Sequence, residues 1–289
     1  MNANLSKGIF WVLLAVFFYS CGHGAVATIS PEIPVVQIQF LQYLSASVFL
    51  LFFLGKKSLQ KPTNIKLYLF RCLMGVGAAF TFMAAYRQLN LFNATLLNMT
   101  SPFYMPVIGA LWLKEKYSPL IWPVLALGFC GTALIFPPSK EMFQTGAIFA
   151  LASGLLSAIA LSSLRALSQK NEPAAKVVFF YMAFGTIFTG CICFFHAQPL
   201  KVTDCMLGIF GGLCLGINQM CLFRAFQLAT TSSLAPFAYF SFPFSAMIDW
   251  FIFDKPIQFQ VLLGAILIGC CGILTHRIYL LRQPFLKKD

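Results

Sequence analysis

The sequence predicts an all-α membrane protein of ten transmembrane helices, arranged as two inverted five-helix repeats. Three observations predict it. Hydrophobic residues make up 59% of the 289 and charged residues 10%, with a mean hydropathy of +0.81, whereas soluble domains carry about 25% charged residues. Basic residues segregate sixteen to four between the two sides of the resulting topology. Short matches also recur 138 to 141 residues apart.

A helix needs about 20 apolar residues to cross about 30 Å of hydrocarbon. Such runs place helices at 8–28, 35–54, 66–87, 92–113, 119–136, 144–168, 174–196, 203–227, 231–253 and 258–281. Ser30-Pro31-Glu32-Ile33-Pro34 separates the first two, because proline lacks a donor and restricts its predecessor. Lysines between Lys56 and Lys66 mark the next loop, Lys114-Glu115-Lys116 with Pro119 ends the fourth helix, and Pro137-Pro138 ends the fifth. Asp254-Lys255-Pro256 divides the ninth from the tenth. Lys7 ahead of an apolar run and the small-x-small Ala25-Val26-Ala27 look like a signal peptide, but the repeat requires this helix to be retained.

Lys and Arg stay on the cytoplasmic side. With the N-terminus inside, only Arg87, Lys140, Lys201 and Lys255 fall outside. The expected location is therefore the cell inner (cytoplasmic) membrane, multi-pass, with both termini cytoplasmic. The net charge of +12 is explained by these loops, so nucleic-acid binding is not expected.

Gly8-Ile9-Phe10-Trp11 is echoed by Gly146-Ala147-Ile148-Phe149, and Gln88-Leu89 by Gln227-Leu228. Phe103 recurs as Phe242, Glu115-Lys116 as Asp254-Lys255, and Gly128-x-x-Gly131 as Gly269-x-x-Gly272. The domains are then a first repeat at 1–139 and a second at 140–289. Five helices per copy is odd, so the copies insert with opposite orientation, as in many transporters. Ala85 to Leu134, with Tyr-Arg-Gln-Leu, Ser101-Pro102, Leu113-Lys114-Glu115 and Gly128-x-x-Gly131, resembles the repeat of the drug/metabolite transporter superfamily, EamA type. Arg224 to Leu274 is similar to its second copy, with Asp254 where the family pattern usually has Glu. Leu234-Ala235-Pro236-Phe237-Ala238-Tyr239 more weakly resembles the S-adenosylmethionine carriers of that superfamily. The resemblance implies ten helices, a central cavity and alternating access.

Candidate solute-site residues are polar groups at membrane depth. Ala238, Ser241, Ser245 and Asp249 are spaced to share one face of the ninth helix. Asp249 is read as the single acidic residue inside a span, and an intramembrane carboxylate is costly and functional by default; its competing role is an interfacial group. Thr95, Asn98, Ser101 and Pro102 share a face of the fourth helix, either lining a cavity or permitting close packing. Gly208, Gly212 and Gly216 form a close-packing stripe, followed by Asn218 and Gln219. Tyr19 and His23 lie one turn apart, and His23 joins Asp249 as a coupling candidate because imidazole titrates near neutrality. Gln39 and Gln42 share a face, with Gln42 the site candidate. Tyr86, Tyr104, Tyr181 and Tyr239 each offer a hydroxyl on an apolar body; Tyr86, Tyr104 and Tyr239 join the site set.

The function expected is secondary active transport of a small organic metabolite, S-adenosylmethionine-like or amino-acid-like, with a multidrug or metabolite exporter as the alternative. No phosphate-cradling Gly-rich loop with Lys-Ser/Thr occurs, so no ATP hydrolysis is expected of the chain itself. A non-transporting receptor and an intramembrane enzyme are the readings of other classes. The enzyme is disfavoured because His23, His196 and His276 fall on separate segments. The ten cysteines lack zinc spacing and an accompanying His cluster, so neither a metal, a cofactor nor a disulfide framework is expected. Expected partners are a small-molecule substrate and membrane lipids, and a homodimer is allowed.

Overall fold

A computed structural model of the chain describes residues 2–30, 32–52, 62, 64–86, 88–89, 91–135, 145–170, 172–196, 198–253 and 259–282. Its helices are α1 (Asn2–Val26), α2 (Val35–Leu51), α3 (Ile65–Tyr86), α4 (Leu91–Asn98), α5 (Ser101–Leu113) and α6 (Ile121–Ile135). They continue with α7 (Gly146–Gln169), α8 (Ala174–His196), α9 (Val202–Leu228), α10 (Thr231–Leu234), a 3-10 turn (Ala235–Phe240), α11 (Ser241–Phe253) and α12 (Phe259–Arg282). Among the described residues there is no strand. Among the described residues six helices, α1, α3, α7, α8, α9 and α12, are long and apolar enough to cross a bilayer, while α2 and α6 are apolar but shorter. Phe52 and Phe194 are 85% exposed and Leu111 80%, an arrangement that suits hydrocarbon as the outer solvent.

Two expected helices are broken. The segment 92–113 is interrupted at Met99–Thr100, between α4 and α5. Pro102 stands in the first turn of α5 and has no N–H to return to the Asn98 carbonyl, so the α4 ladder cannot run through it. Thr100 Oγ1 instead donates to Leu97 O at 2.7 Å. The segment 231–253 splits into α10, the 3-10 turn and α11, with Pro236 in the first turn of the 3-10 stretch. A 3-10 turn has three residues per turn, so Ala238 does not continue the helical face. Ser241 and Ser245 share a face of α11. Asp249 belongs to α11 and Tyr86 to α3, but their side chains lie outside the described residues.

Small residues set the helix crossings. Gly8 meets Ala225 and Ala229 while Gly22 meets Gly211 and Cys214, so α1 runs antiparallel to α9. A second face of α9 presents Gly208, Gly212 and Gly216 to Leu41, to Gln42 and Ser45, and to Ala46 and Phe49 of α2. This is the small-residue packing expected where lipid supplies no hydrophobic drive between helices. α3 packs along α7, and Gly131 and Gly264 approach each other's carbonyls where α6 meets α12.

Candidate functional site

The interior face of α1 locates an opening. Val12, Val16, Tyr19 and His23 follow helical spacing and form one stripe between the α9-facing Ala15 and Gly22 and the α11-facing Ser20 and Gly24. Val12 is 4% exposed and Val16 7%, both within the main core. Tyr19 is 37% exposed and His23 is exposed as well, their rings 4.2 Å apart. The same stripe is sealed near the start of α1 and open toward its end. We call these the base and the far end of the bundle.

Below Tyr19 lies a polar cluster in an apolar bundle. Asn218 Nδ2 donates to Ala15 O at 2.8 Å, and Gln219 Nε2 donates to Asn218 Oδ1 at 3.1 Å. Arg71 Nη2 donates to Gln219 Oε1 at 2.8 Å. The Arg71 guanidinium lies 4.3 Å from the Tyr181 ring centroid, a cation–π geometry. Tyr181 meets Tyr43 edge-on, their hydroxyls 3.4 Å apart, and Ser47 and Thr186 hydroxyls stand 3.3 Å apart one turn on. Tyr19 stands one turn beyond Ala15, whose carbonyl the cluster binds. The cluster thus joins five helices: α1, α2, α3, α8 and α9.

Of the sequence candidates, the structure brings Tyr19, His23, Asn218 and Gln219 toward this cluster. Gln42 sits at the α2–α9 crossing, against Gly211 and Gly212. Asn98 belongs to a separate relay: its Nδ2 donates to Ser153 Oγ, and Ser153 Oγ donates to Ala78 O, both at 2.8 Å. Ser101 is 7% exposed at the start of α5, and Tyr104 is half-buried against the main core. Tyr239 is 0% exposed, wedged against Gly128 and Cys271, and its hydroxyl has no hydrogen-bond partner among the described residues. Ser241 Oγ donates to Ala238 O, its carbonyl accepts from Ser20 Oγ at 3.1 Å, and Ser245 is half-buried. A groove of about 350 Å³ between α1, the 3-10 turn and α12, lined in part by Ser6, Phe240 and His276, contains none of these residues.

Sequence reasoning counted Arg71 only as a topology charge, yet it is 3% exposed inside α3. Asp249 is also not the single acidic residue within a helix. Asp204 lies in the first turn of α9 and is 6% exposed, where a carboxylate favours the helix N-terminus.

At the base end, an ion pair ties three elements together. Lys114 adopts φ 54°, a left-handed C-cap, and the Glu115 N–H returns to Gly109 O at 3.0 Å. This Schellman-type turn swings Glu115 inward. Its carboxylate accepts from Arg165 Nε at 2.9 Å, from Thr231 N at 3.0 Å and from Thr231 Oγ1 at 2.7 Å. Arg165 Nη1 also donates to Phe226 O, which accepts from Ser168 Oγ. A second buried pair, Lys176 with Glu172 at 3.1 Å, sits at the start of α8.

Known proteins share this architecture. The chain is 23% identical over 269 residues to a riboflavin transporter of Vibrio cholerae, covering 91% of this chain and 90% of the relative. It is 23% identical to a pseudopaline exporter of Pseudomonas aeruginosa, covering 94% and 97%. It is likewise 23% identical to an S-adenosylmethionine uptake transporter of Rickettsia bellii, covering 91% of each. A solved crystal structure superposes with a TM-score of 0.82 at 13% identity, covering 93% of this chain and 97% of that one, which speaks to the fold. The family model of EamA-like transporters matches twice, over residues 6–136 and 144–275. With apolar helices throughout and a match along nearly its whole length, the chain is a multi-pass membrane protein belonging to the EamA-like transporter family, within the drug/metabolite transporter superfamily.

Proposed function

We propose that this protein is a secondary active transporter that moves a small organic metabolite across the cytoplasmic membrane by alternating access. The observation that carries the reading is the α1 stripe: sealed at Val12 and Val16, open at Tyr19 and His23, and leading to the polar cluster of Arg71, Asn218 and Gln219. The Glu115–Arg165 pair and its Thr231 bonds close the base end. That combination is what one end state of an alternating-access cycle requires.

The chain is proposed to span ten times, as two inverted five-helix repeats at 1–139 and 140–289 with both termini cytoplasmic. The double family match supports this. So does the spacing of contacting pairs, Tyr43 with Tyr181 at 138 residues and Ser47 with Thr186 at 139. Reporter fusions at Lys7 and Lys288 should both read inside; opposite readings would mean an odd number of spans.

The relatives carry riboflavin, S-adenosylmethionine and pseudopaline, by uptake and by export. The solute proposed here is S-adenosylmethionine-like or amino-acid-like, with metabolite or multidrug export as the second reading. Asp249 and His23 are the proposed coupling groups. Purified protein in liposomes should accumulate labelled solute, and Asp249→Asn should abolish pH-driven accumulation while sparing solute exchange. Loss of both activities would make Asp249 a substrate ligand. No flux of any tested solute would refute transport itself.

A further inference from the structure

Arg71 is a buried cation whose partners among the described residues are all neutral. By contrast, Lys176, which is buried, and Arg165, which is partly buried, each sit against a carboxylate, Glu172 and Glu115. Arg71 has the Gln219 amide oxygen and the Tyr181 ring, and no carboxylate within 4 Å among the described residues. Its Nε is buried without a partner among the described residues. A guanidinium has five N–H donors in a rigid fork, and an uncompensated charge at membrane depth is strongly disfavoured. Room for it is built in. Gly75, one turn farther along α3, carries no side chain, and a Cβ there would stand 2.8 Å from Arg71 Nη1 and 2.6 Å from the Tyr181 ring. The guanidinium therefore lies over the Tyr181 ring beside Gly75, on the far-end side of its own Cα.

We propose that Arg71 seats a carboxylate of the transported solute, which completes the charge that the protein leaves uncompensated. The inference rests on the transporter reading above and names the solute class: a small organic acid or zwitterion. A carboxylate fits the fork in a bidentate manner. A phosphate dianion would call for a second cation, and Lys176 is already engaged by Glu172.

The test uses the purified full chain and matched probes: L-phenylalanine with L-phenylalaninamide, S-adenosylmethionine with its decarboxylated analogue, and phosphoethanolamine for the phosphate arm. Thermal stability is read for wild type, Arg71→Gln and Gln219→Glu. Gln219→Glu keeps the side-chain shape and pairs Arg71 internally at the expense of the Gln219 Nε2 bond to Asn218 Oδ1, so the protein should still fold, with a Tm close to wild type. Its affinity for the carboxylate probe should fall on the order of 10- to 100-fold, the range for a lost charged hydrogen bond. In wild type the carboxylate-bearing probes should raise Tm and their carboxylate-free counterparts should not. Equal shifts within each pair, a shift from phosphoethanolamine alone, no shift from either acid, or undiminished acid binding in Gln219→Glu would each overturn the proposal. Counterflow in liposomes separates the two readings. Solute that crosses without acid preference refutes the Arg71 seat and leaves transport standing; acid binding without any crossing does the reverse.

Discussion

Gly212→Ala adds one methyl group where α9 crosses α2. That methyl would stand 2.8 Å from Gln42 Cα, with the Gln42 carbonyl oxygen and Ser45 Oγ nearer still. Carbon–carbon contact is favourable from about 3.5 Å, so α2 must retreat by about 0.7 Å. Ser45 could rotate, at the expense of its 2.7 Å bond to Leu41 O, but the Gln42 backbone cannot. The retreat also loosens the flanking contacts of Gly208 with Leu41 and Gly216 with Ala46 and Phe49. Overpacking of this kind costs about 1–3 kcal/mol. In an unconstrained helix the same substitution gains up to about 1 kcal/mol, so the sign is diagnostic. Gly269→Ala is the matched control: nothing lies within 4 Å of its added methyl, so it should be neutral or stabilising. Thermal unfolding in detergent, followed by flux in liposomes, compares the two variants. If Gly212→Ala is as stable as Gly269→Ala, α9 does not touch α2 at this register and the crossing described above is wrong.

Asn98→Ala and Ser153→Ala should each destabilise by about 1 kcal/mol, and less than additively, because one relay joins α4, α7 and α3; full additivity in a double-mutant cycle would dissolve the relay. Glu115→Gln leaves Arg165 without its carboxylate partner and should cost about 3–5 kcal/mol. A cysteine placed at Ser232 should then label faster from the base side, and an unchanged labelling rate would remove Glu115 from the closure. Tyr239→Phe should change stability by less than about 0.5 kcal/mol, since the hydroxyl has no partner among the described residues to lose. A drop in transport at constant stability would instead mean that the solute uses it.

The helices were legible because hydrocarbon imposes one length on every apolar run, and proline and lysine mark the gaps. The breaks inside 92–113 and 231–253 were half legible. Pro102 and Pro236 were visible, but whether a proline kinks a helix or starts a new one depends on what its neighbour accommodates, here Gly154 beside the Asn98 carbonyl and Thr100. Asn218 and Gln219 stood out as amides within an apolar run. Arg71 did not, because a cation six residues into a helix reads the same whether it reaches back to water or is folded under Tyr181. A usable signal was Gly75 one turn later, which gives a guanidinium room to lie along the helix. Gln42, Tyr104 and Tyr239 illustrate the converse. Polar residues at membrane depth also serve helix crossings, and a sequence does not say which neighbour takes up the polar atom.

The hydroxyl pairs carry a consequence for how such a chain could have arisen. On the proposed two-copy architecture, Tyr43 and Tyr181 occupy corresponding places 138 residues apart and meet each other, with the hydroxyls of Ser47 and Thr186 meeting one turn on. A residue on a symmetry axis must tolerate its own image. A carboxylate or an ammonium facing itself would repel, whereas a hydroxyl both donates and accepts and so can bond to an identical partner. Such pairs would have worked unchanged in an ancestral dimer of identical subunits inserted in opposite directions, before fusion. Arg71 has no such image: at the 138-residue offset of the tyrosine pair stands Ile209, 45% exposed. Arg71 is thus an asymmetric feature on that architecture, and such residues are the ones to compare when relatives with different solutes are set side by side.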